Sequence, residues 1–138
     1  MAESNTNLPD RRLAGLKLDA LDVAVRDSVN AFAEKLAAGL GNNLQSITIV
    51  GSSLTQDFRA GHSDINTVLV VGEQTVAALN AIASLARPMS RKKISPPLLM
   101  TSSYIERSRD VFGVELLDFQ LTHQTILGQD PFASLTFE

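Results

Sequence analysis

The chain has no cysteine, few aromatic residues and no long apolar run. Without cysteine there are no disulfides, no thiolate metal sites and no cysteine nucleophile, a composition compatible with the cytoplasm. No stretch approaches the ~20 consecutive apolar residues of a membrane span, and residues 1–10 are polar with no apolar signal region, so no membrane location is expected. The formal net charge is only −3, which argues against a long nucleic acid as partner. No glycine loop runs into Gly-Lys-Ser/Thr, which excludes a helical phosphate loop of the Walker type. A Ser52, His62 and Asp64 hydrolase triad lacks its nucleophile elbow, because Thr55 stands where Gly-x-Ser-x-Gly requires the last glycine.

What remains is an ordinary globular composition, 44% apolar and 20% charged over 138 residues. Residues 1–138 are read as one domain with a core of useful size, residues 1–8 being a loose tail after which Pro9 can open a helix. Leu18, Leu21, Val25, Val29, Phe32, Leu36 and Leu40 recur at steps of three and four, which predicts a long amphipathic helix stopped by Gly39 and Gly41. Leu13 and Leu16 extend it or form a preceding turn. Residues 46–50 and 65–71 are short, β-branched and apolar on both faces, as covered strands are. A second helix is predicted from Val76 to Leu85, ended by Arg87-Pro88. Residues 98–101 read as a short strand, and Ser102 caps a helical turn through Arg107. A strand over 111–119, a short helix over 123–127 ended by Gly128, and a last strand over 133–137 complete the expectation. This order gives an α/β fold, a mixed β-sheet covered by helices.

The chemistry concentrates where the first strand ends and the second begins. Gly51, Ser52 and Ser53 follow Val50, and small residues let backbone N–H groups approach an anion closely. Asp64 and Asn66 are two apart, so on a strand their side chains leave the same face. An anion cradle beside a pair of oxygen ligands suits a metal-bound polyphosphate. The plainer reading is a strand-entry cap, since Ser, Asp and Asn bond nearby backbone; against it, a carboxylate heading so apolar a strand needs a partner or an ion. Glu115 and Asp118 are three apart and would leave opposite faces of a strand, so only one can join Asp64; the alternation does not choose. His123 reads as a surface residue. Arg91-Lys92-Lys93 is a solvated bend, or a cationic run facing phosphates or an acidic partner.

Gly51-Ser52, a loop, then Ser63-Asp64-Ile65-Asn66 heading an apolar strand resembles the signature of the nucleotidyltransferase superfamily. The runs at 96–100, 108–112, 115–118 and 127–132 resemble a bacterial branch of it, so the likeness spans about residues 20–138. It implies a nucleotidyltransferase-like fold and Mg²⁺-dependent transfer of a nucleotidyl group from an NTP to a hydroxyl of a small molecule or protein. Gly51, Ser52 and Ser53 would then hold phosphate. Asp64, Asn66 and Glu115 would be the catalytic metal ligands, the resemblance favouring Glu115 over Asp118 and expecting it on a strand. Two departures stand out: the loop between Ser52 and Asp64 is one residue longer than the pattern, and Asn66 replaces the second carboxylate, which bridges both ions in a two-metal clamp. The alternative is therefore a degenerate module that binds nucleotide or a protein partner without turnover. A helical partner domain or protein, absent from this chain, is a third expectation.

Overall fold

The computed structural model describes residues 11–19, 21–55 and 64–136. The expected tail and the Pro9 helix start lie outside those residues, as does most of the loop before Asp64.

Helix α1 (Val23–Leu40) begins where Asp22 accepts the Ala24 N–H, and ends at Gly41, whose φ of 56° suits glycine. It starts later than the periodicity implied: Leu18 and Leu21 precede it, and Leu13 falls in a separate 3-10 turn, Arg11–Gly15. Strands β1 (Leu44–Val50) and β2 (Asn66–Val71) follow. Next come α2 (Val76–Ala83) and α3 (Ala86–Arg91), where one helix was expected. Pro88 does not end a helix. It sits in the first turn of α3, where an N–H has no intrahelical acceptor to lose. Strand β3 (Leu98–Met100) leads into α4 (Ser102–Ser108), capped by Thr101 rather than Ser102.

Three expectations are corrected beyond that point. The predicted strand over 111–119 is helix α5 (Gly113–Leu121), and the predicted helix over 123–127 is strand β4 (His123–Gly128). Residues 133–136 are not a strand; the Asp130 carboxylate accepts the Phe132 and Ala133 N–H groups at 2.8 and 3.1 Å and folds them into a turn.

The four strands form one mixed sheet in the order β3-β2-β1-β4. β1 runs antiparallel to β2 and to β4, and β2 parallel to β3. Alternation along β1 and β2 divides the core between the two faces. Leu44, Ile47, Ile49, Ile65, Leu69 and Val71 pack beneath α1, with Ala78 of α2 and Met89 of α3. Val50, Val68 and Val70 pack on the other side against Ile105, Leu116, Phe132 and Leu135. Each such side chain, once fully buried, contributes about 1.5–3 kcal/mol, so a sheet covered on both faces is the stable arrangement for these sequences. The expected mixed sheet with helical cover is present, with the Gly-Ser strand and the Asp64 strand adjacent. No helix among the described residues is long and apolar enough to cross a membrane.

Candidate functional site

The antiparallel register determines what meets at the carboxyl end of β1. Val50 is paired with Asn66 of β2 on one side and with His123 of β4 on the other. Gly51, the next residue, turns the chain with φ 85°, a conformation only glycine takes without strain. Residues Gly51–Leu54 then make one 3-10 turn. The Gly51 N–H donates to the Thr122 carbonyl at 3.5 Å, tying the turn to the start of β4. A Cβ placed on Gly51 would lie 3.6 Å from the Asn66 side-chain nitrogen, so turn and side chain are immediate neighbours.

Ser53 is buried, and its hydroxyl has no hydrogen-bond partner among the described residues. Leaving a buried hydroxyl unpaired costs about 1–3 kcal/mol; the Ser46 and Thr67 hydroxyls, within β1 and β2, are in the same state. Asp64 and Asn66 are both exposed at the same end of the sheet. The structure thus brings together the Gly51 turn and Asn66, with Ser53 within that turn and Asp64 two residues ahead of Asn66.

Glu115 is not part of that corner. It belongs to the first turn of α5, not to a strand, and lines a cleft of about 640 Å³ with Arg109, Asp110, Val114, Leu117 and Thr136. Asp118 is exposed on the same helix. The strand that does flank β1 presents His123 beside Val50, a residue the sequence placed in a helix. Both ring nitrogens of His123 face oxygens: Nδ1 lies 2.8 Å from the Gln120 carbonyl and Nε2 2.7 Å from the Asp130 carboxylate. Burial pushes the Asp130 carboxyl up, but the Phe132 N–H, the His123 bond and charge, and the Ala133 N–H outweigh it and hold the group below its ordinary value. His123 is therefore occupied in a structural pair.

Among the described residues no three His, Asp or Glu side chains come together as a metal site. Among the described residues the corner offers one carboxylate and one amide oxygen, Asp64 and Asn66, and a neutral amide brings a lone pair without charge. These two donors by themselves do not fit a pair of Mg²⁺ ions.

The class defined so far is a mixed α/β domain with a Gly-Ser turn facing an Asp-x-Asn strand entry. The chain is similar to solved structures of toxin–antitoxin complexes. One is a tri-AMPylated Shewanella oneidensis HEPN toxin in complex with MNT antitoxin, 17% identical over 72% of this chain and 69% of that one, TM-score 0.43. Two are variants of the MntA–HpeT pair. The first, carrying two Asp-to-Glu changes, is 18% identical over 73% of each chain, TM-score 0.45. The second, carrying a Tyr-to-Ala change, is 20% identical over 72% of each, TM-score 0.44. No protein-family model matches the chain, and no curated protein does.

Proposed function

We propose that this chain binds a nucleoside triphosphate at the Gly51 turn and transfers its nucleotidyl group to a hydroxyl of a protein or small molecule only slowly. The observation that carries this is the pairing of Val50 with Asn66, which sets the Gly51 turn beside the Asn66 side chain; the turn also carries the Ser53 hydroxyl, which has no partner among the described residues. The backbone N–H groups of residues 52 and 53 and the Ser53 hydroxyl suit phosphate oxygens. Asp64 is the carboxylate that the described residues contribute here, and its role would be to accept a proton or to bind the cation that accompanies the triphosphate.

The weak catalysis follows from the donor set. With Asn66 neutral and Glu115 lining another cleft, little anionic charge holds an activating ion, so binding outlasts chemistry. The second reading, binding without turnover, is favoured by the same observation. Calorimetric titration with ATP, GTP, CTP and UTP, with and without Mg²⁺, followed by a turnover assay with labelled nucleotide, separates them. Binding with turnover well below one per minute fits the proposal. No binding of any of the four removes it.

A further inference from the structure

The cationic run Arg91-Lys92-Lys93 comes to lie beside the candidate site. Ile65 and Ile94 form a parallel bridge, closed by the Ile65 N–H to the Lys93 carbonyl at 2.7 Å and the Ser95 N–H to the Ile65 carbonyl at 2.9 Å. Ile65 stands between Asp64 and Asn66, and Ile94 between Lys93 and Ser95. The bond from the Ile65 N–H to the Lys93 carbonyl puts the backbone of Lys93 beside the Asp64–Ile65 peptide. Both isoleucines are buried in the core beneath α1.

Asp64 and Lys93 are both exposed, and neither side chain has a hydrogen-bond or ion-pair partner among the described residues. Lys93 also has φ 60°, the sole positive value outside glycine among the described residues. Glycine would fill this position, just after α3, without strain. A lysine is held there at the cost of backbone comfort, next to a corner whose described donors, Asp64 and Asn66, do not by themselves assemble two metal ions.

Resting on the nucleotide-binding reading, we propose that Lys93 binds the triphosphate, its ammonium group supplying at the Asp64 end positive charge that a second metal ion would otherwise bring. Nucleotide binding then tolerates removal of divalent cations. An ammonium on a flexible stem reaches phosphate as a point charge, without requiring the octahedral ligand set that Mg²⁺ demands.

The test uses the substitution that removes the cation and the strain together. Lys93→Gly should melt at a higher temperature than the native chain, so weakened binding cannot be laid to poor folding. In EDTA, ATP binding measured by calorimetry should weaken about tenfold, the value of one charge-assisted contact. In Mg²⁺ the loss should be smaller, and Lys93→Arg should bind nearly as the native chain does. Unchanged ATP affinity in Lys93→Gly, or native binding that vanishes in EDTA, overturns the proposal. Loss of binding in Gly51→Ala with none in Lys93→Gly removes this inference and leaves the nucleotide site standing. Failure of the native chain to bind ATP in either buffer removes both.

Discussion

His123 and Asp130 meet at 2.7 Å between the first residue of β4 and the turn that follows the strand. The pair fastens that turn over Phe132, which is fully buried and lies edge-on to the imidazole with ring centroids 5.6 Å apart. Gln120 adds two bonds of 2.8 Å, to the carbonyls of Phe132 and Leu135. The outer face of the sheet is thus closed by a C-terminal clasp rather than by a strand.

That clasp should be sensitive to acid. The Asp130 carboxyl is held below its ordinary value of 3.8 in the folded chain. A group whose folded value is depressed contributes stability that is present above the unfolded value and lost as pH falls through the folded one. Urea denaturation from pH 6 down to pH 2 should therefore show a contribution that Asp130→Asn lacks. Asparagine keeps an oxygen for the Phe132 and Ala133 N–H groups but loses the charge facing His123. At neutral pH it should cost about 1 kcal/mol, and its stability should fall less steeply below pH 4.

The two turn glycines should respond differently to alanine. At Gly51 an added Cβ meets Asn66 at an ordinary 3.6 Å, leaving only the penalty of φ 85°, about 1–2 kcal/mol. At Gly128 the Cβ would overlap the Gln45 carbonyl oxygen and φ is 80°, so strain and clash together should exceed about 3 kcal/mol. Chemical denaturation of both variants checks the order. Gly51→Ala should remain folded and lose nucleotide affinity, whereas Gly128→Ala should fail chiefly in stability.

Asn66→Asp should restore charge where the candidate site lacks it. The position is exposed, so the fold should be unaffected. One more carboxylate beside a dication in screened surroundings should tighten Mg²⁺ binding by about tenfold, and nucleotidyl turnover should rise. Titration calorimetry and a turnover assay on both forms decide it. Native turnover that falls on this change would assign the amide a catalytic part and end the slow-enzyme reading.

The central elements were legible because their patterns admit one interpretation. The spacing of Val25, Val29, Phe32 and Leu36 suits a helix, and all four are buried. Strands β1 and β2 are apolar on both faces and are covered on both. The second half misled for a physical reason. Residues 111–119 contain enough Val, Leu and Phe for a strand, yet Leu116 is buried while Val111, Val114 and Leu121 are each 73% exposed. That apolar stripe faces outward, so hydrophobicity alone pointed to the wrong period. In β4 the register shifts between Ile47 and Thr48 of its partner, and Thr125, Ile126 and Leu127 are buried consecutively. The bulge erased the alternation by which a strand is recognised.

For the candidate site, Gly51, Asp64 and Asn66 stood out because small and polar residues interrupt apolar strands there. Glu115 was placed by analogy with a strand that is a helix in this chain. The neighbourhood of Lys93 and Asp64 was hidden because it depends on a single bridge between Ile65 and Ile94, which no local pattern announces.

The central place of β1 also governs how the chain must assemble. Thr48 and Thr125 share a buried hydrogen bond of 2.9 Å across 77 residues, so the strand made early is completed on one side only by a strand made late. Closing so long a span costs entropy before any pairing rewards it, which slows folding. Until β4 arrives, one edge of β1 exposes unpaired amides between apolar side chains, a template for joining another unfinished copy. A chain cut before His123 should accordingly aggregate even though α1, β1 and β2 are intact, and expression at low temperature should favour the uncut chain by slowing association of unfinished copies.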